Sequence, residues 1–119
     1  MKLAISTQGP EPDSTLEPRF GRARYFRIVD TETGQQTVVD NGHAASAVQG
    51  AGPSAVQMLA RLGVEAVLTG HVGPKAWTAL ESSKIQAYAV NGGSIEESVR
   101  ALLAGQLRAM SSAEEEGHW

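Results

Sequence analysis

The sequence predicts one α/β domain on a mixed five-stranded sheet, with element order β-β-β-α-β-α-β-α. Three observations predict it. Two apolar alternating stretches flank Thr31-Glu32-Thr33-Gly34 as a hairpin; short apolar runs then alternate with helical patterns; and a glycine loop twice feeds a helix through a proline, at Gly50-Ala51-Gly52-Pro53 and Gly70-His71-Val72-Gly73-Pro74. A hairpin is antiparallel, whereas strand–helix–strand units need parallel strands and right-handed crossovers, so the sheet is mixed.

Residues 2–6 form the first strand, with Leu3 and Ile5 on one face. Residues 7–18 hold Pro10, Pro12 and Pro18 and form a polar loop, of a length that in a small domain usually serves function. Arg19-Phe20-Gly21-Arg22-Ala23-Arg24 leads into the second strand, residues 24–30, where Phe26 and Ile28 alternate with Tyr25, Arg27 and Val29. The chain returns as a strand over Gln36–Asp40. A linker of small residues, 41–52, contains His43. The first helix is expected over residues 53–62, with Ala55, Val56, Leu59 and Ala60 as its apolar stripe and Gly63 just past its end. Strand four is Ala66–Thr69. The helix Pro74–Ser82 turns Ala76, Trp77 and Leu80 inward, and strand five covers residues 85–90. Ser94-Ile95-Glu96-Glu97 is a capping box opening a last helix that runs to Ala104, with Ile95, Val99, Leu102 and Leu103 inward. The domain is expected to span 1–107, and residues 108–119, which carry no apolar period, to be a disordered tail.

Composition narrows the function. At 119 residues, 41% hydrophobic and 19% charged, the chain has enough apolar material for one core. A net charge of −3 supplies no global field for nucleic acid or an anionic membrane. No apolar run approaches the roughly 20 residues of a membrane span. The start, MKLAIST, turns polar too soon for a secretory signal, so a cytoplasmic protein is expected. Cysteine is absent, which removes disulfides, thiolate ligands and cysteine nucleophiles together. A metal would have to use His, carboxylate or Met, or arrive with its own ligands.

The topology brings the carboxyl ends of strands one and four to one edge, gathering residues 7–21, 50–53 and 70–74. Open α/β sheets place ligands at such an edge. Proline fits the first helical position, and the unpaired N–H groups of a helix start favour an anion. Arg19, Arg22, Arg24 and Arg27 lie in one nine-residue window without an acid. Guanidinium suits multi-acceptor anions; the competing reading is a solvated face, and it weighs more for Arg24 and Arg27, which are on a strand. His71 sits inside a glycine loop, His43 in the linker and His118 in the tail, without metal-chelating spacing. Gly50, Gly52, Gly70 and Gly73 serve equally as positive-φ turns or as openings for N–H groups. Thr69 is a hydroxyl donor candidate. Phe20 is a candidate apolar wall, whereas Met58 and Trp77 at helical spacing read as core. Ser6 and Asp40 with the histidines do not form a triad, because no nucleophile elbow is present. Asp13, Asp30 and Asp40 are not spaced to hold two metals.

Arg19-Phe20-Gly21-Arg22-Ala23, Gly50-Ala51-Gly52 and Thr69-Gly70-His71-Val72-Gly73-Pro74-Lys75-Ala76, in this order, resemble the dinitrogenase iron–molybdenum cofactor biosynthesis family over about residues 2–107. The resemblance implies a ribonuclease-H-like fold and no enzymatic activity. It implies noncovalent carriage of a preassembled anionic metal–sulfur cluster, either an iron–molybdenum cofactor precursor or, by likeness to cysteine-free stand-alone members, a molybdenum–copper sulfide cluster. The implied binding set is Arg19, Phe20, Gly21, Arg22, His43, Gly50, Gly52, Thr69, Gly70, His71 and Gly73, with no residue ligating metal. The partners implied are a cluster donor or acceptor protein. Two other readings stand beside it. A nucleotide or phosphate-metabolite regulator would use the same helix starts, but the chain lacks a Walker lysine pattern and a ribose-binding acid. An interaction adaptor would use the last helix and the acidic tail.

Overall fold

The sheet is organised around β1 (Lys2–Thr7), which pairs antiparallel with β2 (Tyr25–Asp30) and parallel with β4 (Ala66–Thr69). A computed structural model describes residues 1–42 and 50–113. β3 (Gln36–Asp40) adds antiparallel to β2, and β5 (Gln86–Ala89) adds parallel to β4, giving the order β3-β2-β1-β4-β5. The mixed five-stranded sheet is the one expected. As the central strand, β1 is covered on both faces, and Leu3, Ala4 and Ile5 are fully buried.

The two faces pack different helices. α1 (Ala51–Arg61) and α2 (Pro74–Ser82) place Ala55, Val56, Leu59, Ala76 and Leu80 against Ala4, Phe26, Ile28 and Val67. α3 (Ile95–Leu103) places Ile95, Val99 and Leu102 against Leu3, Ile5, Val29 and Leu68. Each fully buried Leu or Ile contributes about 1.5–3 kcal/mol relative to exposure, so these two layers carry most of the stability. The helix ends follow local chemistry. All three stop in a paired turn in which the second residue past the last full turn donates back to the helix: Val64 to Leu59 at 3.1 Å, Ile85 to Leu80 at 2.9 Å and Gln106 to Ala101 at 2.9 Å. Gly63 and Gly105 take the left-handed position of this motif, and Lys84 takes it in α2 at φ 59°. At the start of α3 the Ser94 hydroxyl accepts the Glu97 N–H at 3.0 Å, and the Glu97 carboxylate accepts the Ser94 N–H at 3.4 Å. The hairpin turn is held by Asp30, whose carboxylate accepts the Glu32 N–H at 2.9 Å. That bond holds its pKa below the usual carboxylate value, so its contribution is present at neutral pH and is lost as pH falls through the lowered value.

Several expectations shift. α1 begins at Ala51 rather than at residue 53, because Gly50 turns the chain at φ 78° and Pro53 fits the first turn, where its missing N–H is not needed. Ala60 is exposed, and Leu103 is 60% exposed. The inward place in α3 goes instead to Ser98, whose hydroxyl donates to the Ser94 carbonyl at 3.0 Å. Trp77 is only partly buried against the core. The chain does not leave the domain at Leu107: the Ala89 N–H donates to the Arg108 carbonyl at 3.1 Å, the Met110 N–H donates to the Ala87 carbonyl at 2.8 Å, and Met110 is buried. A single methionine on a sheet edge has no periodicity to announce it. His43, His118 and residues 114–119 lie outside the described residues. No helix among the described residues is long and apolar enough to cross a membrane.

Candidate functional site

The segment after β1 is stitched to the turn after β4. The N–H groups of Gly70 and His71 donate to the Pro18 carbonyl at 3.0 and 2.6 Å, and the Phe20 N–H donates to the His71 carbonyl at 3.0 Å. Gly70 permits this approach, since a Cβ there would lie 2.7 Å from the Pro18 oxygen. The chain then makes a single 3-10 turn, Phe20–Arg22. Phe20 anchors it: its ring is fully buried, 5.4 Å from the Phe26 ring. Asn41 ties the far end by donating from its side chain to the Ala23 carbonyl at 2.9 Å. A core aromatic thus fixes a turn that carries an arginine on either side.

The starts of α1 and α2 complete the cleft. They meet at Gly52, where a Cβ would come within 2.6 Å of Ala76 Cβ; a Cβ on Gly21 would come within 3.1 Å of Gly52. Three small residues therefore let the arginine turn and both helix starts converge. Neither start is capped by a side chain, so first-turn N–H groups open onto the space between them. The resulting cleft is about 330 Å³ and is lined by Arg19 to Arg22, Gly50 to Pro53, His71 and Gly73 to Ala76. Arg19, Arg22 and Lys75 put three basic side chains on its wall, and among the described residues no Asp or Glu lines it. In a chain of net charge −3 this is a local reversal of sign.

Of the residues expected at the site, Arg19, Phe20, Gly21, Arg22, Gly50, Gly52, His71 and Gly73 line the cleft. Phe20 is fully buried, with its ring packed in the core against Phe26, and so presents no exposed apolar wall. Thr69 is fully buried in the sheet, with its hydroxyl 2.8 Å from that of Ser6, and cannot reach a ligand in the cleft. Gly70 faces a neighbouring pocket that shares His71 as a wall. Of the four glycines only Gly50 has a positive φ; Gly52 and Gly70 are required by close approach instead. His43 lies outside the described residues. Arg27 is drawn away by Gln36, to which its Nε donates at 2.7 Å, and Arg24 is not part of the lining. Lys75 is the residue that sequence reasoning missed. Its signal was its place just after the Gly-Pro pair, in the first turn of α2.

Simpler chemistries fail on geometry. The Ser6 hydroxyl is 2.7 Å from the Glu17 carbonyl, to which it donates, inside the sheet. Among the described residues no three His, Asp or Glu side chains gather to hold a metal ion. A larger groove of about 640 Å³ lies between the end of β5 and α3, but the helix start beside it is already capped by Ser94 and Glu97. The cations and the uncapped N–H groups converge in the smaller cleft, which is therefore the candidate site.

Comparison with known proteins agrees with the fold. A family model described as dinitrogenase iron-molybdenum cofactor matches residues 1–105. An uncharacterised protein of Methanocaldococcus jannaschii is 32% identical over 110 residues, covering 90% of this chain and 89% of the relative. The apo form of the orange protein from Desulfovibrio gigas superposes with a TM-score of 0.91 at 36% identity, covering 96% of each chain. A Thermotoga protein of the DUF35 family superposes with a TM-score of 0.86 at 34% identity, covering 98% of each chain.

Proposed function

Since the chain belongs to the dinitrogenase iron–molybdenum cofactor family, we propose that it is a non-enzymatic carrier for a preassembled anionic metal–sulfur cluster. The observation that carries this reading is the convergence of Arg19, Arg22, Lys75, His71 and two helix starts without side-chain caps in a cleft whose described lining contains no Asp or Glu. Such a cluster brings its own sulfide ligands, so a protein without cysteine can hold it by charge and hydrogen bonding alone. The guanidinium groups offer several donors to sulfide acceptors, and the N–H groups of Gly52 and Ala76 add fixed dipoles. Charge-assisted contacts are worth about 1.5–3 kcal/mol each. Three or four of them would give affinity on the order of micromolar after the entropic cost of association. The cargo is a molybdenum–copper sulfide or an iron–molybdenum precursor. A carrier also requires a protein that loads or unloads it.

Anaerobic titration with tetrathiomolybdate, with and without copper, tests the reading through the visible spectrum and protein-bound metal after desalting. Stoichiometric, copper-dependent colour is expected. Retention only of an iron–molybdenum precursor would move the cargo to the nitrogenase type. If neither is retained, the cluster reading falls, and thermal stabilisation by nucleotides becomes the result to look for. Gly73→Asp supplies a control whose two effects have opposite signs. Gly73 caps α2 at φ −71° and ψ 168°, a conformation aspartate adopts readily, and no atom stands within 4 Å of a Cβ there. The new carboxylate can cap the helix, adding about a few tenths of a kcal/mol. It also places a negative charge in the cleft, and cargo retention is expected to fall at least tenfold. Unimpaired retention in Gly73→Asp would locate the cargo elsewhere.

A further inference from the structure

The Arg19 side chain is not left to solvent alone. Glu17 Oε2 accepts the Arg19 backbone N–H at 3.0 Å and stands 3.9 Å from the guanidinium Nε. The Glu17 side chain is only 13% exposed, whereas that of Arg19 is 54% exposed. The backbone of Glu17 is fixed from both sides by one residue of β1: its N–H donates to the Ser6 carbonyl at 2.9 Å, and its carbonyl accepts the Ser6 hydroxyl at 2.7 Å. The next residue, Pro18, is bound to the His71 turn. Glu17 is thus a rigid post with its carboxylate beside Arg19, and Arg19 lines the cleft. A carboxylate held there has two consequences. It orients the arginine, and its charge opposes that of any anion the arginine engages.

We propose that Glu17 is a positioning residue that holds Arg19 at the cleft and sets an upper limit on the affinity of the cleft for its anionic cargo, keeping the cargo releasable. This rests on the carrier reading above. The incoming anion shares Arg19 with Glu17 instead of taking all of its charge. No bond is made or broken in the exchange. A carrier needs such a limit, because cargo held by every available cation would not pass to an acceptor.

Glu17→Gln separates the two roles, since the amide oxygen can still accept the Arg19 N–H while the charge is gone. Tetrathiomolybdate is expected to bind Glu17→Gln about 3–10-fold more tightly than the unsubstituted protein at low salt, with the gain shrinking as the screening length drops below about 10 Å. In an Arg19→Ala background the same substitution should change affinity less than about twofold, because the coupling runs through Arg19. Glu17→Ala, which removes both charge and acceptor, should bind less tightly than Glu17→Gln. A merely structural Glu17 would instead lower thermal stability and weaken binding irrespective of Arg19 and of salt. The proposal is overturned if Glu17→Gln binds no more tightly at low salt, or if the gain persists without Arg19. A parallel titration with inorganic sulfate, followed by the amide NMR shifts of Gly52 and Ala76, separates the two readings. If tetrathiomolybdate is not retained but sulfate still binds Glu17→Gln more tightly, the cargo assignment fails and the role of Glu17 stands. If tetrathiomolybdate is not retained and sulfate shows no dependence on Glu17, or no binding to either protein, the role of Glu17 fails as well.

Discussion

Replacing Arg19 and Arg22 together by alanine is expected to weaken tetrathiomolybdate retention by about two orders of magnitude. The estimate takes one charge-assisted contact from each residue at the low end of about 1.5–3 kcal/mol, where about 1.4 kcal/mol is a factor of ten. The exposure of Arg19, 54%, argues for the low end, since solvent screens what it does not cover. The turn itself should persist, because Phe20 between the two arginines is buried against Phe26. Thermal unfolding of the double variant is the check on that point, and Arg22→Lys is the second one. Lysine keeps the charge but not the planar fork, so it should retain part of the affinity if the fork contributes. An unchanged affinity in the double alanine variant, with folding intact, would remove the cleft from the account of binding altogether.

What the sequence announced and what it concealed divide along the range of the interactions. The capping box of Ser94 and Glu97, the stop at Gly63 and the proline entry at Pro74 are local chemistry, and each is found where the residues predict it. The mixed sheet followed because a hairpin is antiparallel and strand–helix units demand parallel neighbours. The cleft was legible in outline for the same reason: the doubled glycine–proline turn and the arginine window both belong to segments that the topology brings to one edge. The roles within it were less legible. Phe20 beside a glycine looks like a loop aromatic, and only its distance to Phe26 shows that it is core. Thr69 looks available until Ser6, from another strand, takes its hydroxyl. Lys75 gains a place because the start of α2 presents it at the cleft, whereas Arg27 keeps to the strand face expected of it, donating to Gln36. Arg108 to Met110 cover the edge of β5 through backbone bonds, which no side-chain pattern encodes.

The same distinction governs Gly52, whose importance lies in a contact with a residue far along the chain. Gly52→Ala is expected to cost up to about 2 kcal/mol of stability, as overpacking of about 1–3 kcal/mol offset by alanine's better helix propensity of about 1 kcal/mol. The added Cβ would meet Ala76 Cβ at 2.6 Å, a short, unbranched side chain that cannot swing aside, so α1 and α2 must separate. Separation acts directly on the site, because these two helix starts form two of its walls, and a Cβ on Gly21 would come within 3.1 Å of the same Gly52. Cargo retention should therefore fall along with the melting temperature. The decisive comparison is the exchange of the methyl group across the contact. Ala76→Gly alone should destabilise, as a glycine in a helix costs about 0.5–1 kcal/mol. Added to Gly52→Ala, it should restore both stability and retention toward the unsubstituted protein, with a favourable coupling of about 1 kcal/mol or more in a double-mutant cycle. Additive losses would mean that the helices do not meet at this contact. Recovery of stability without recovery of retention would mean that the convergence of the helix starts, though real, is not what makes the cleft bind.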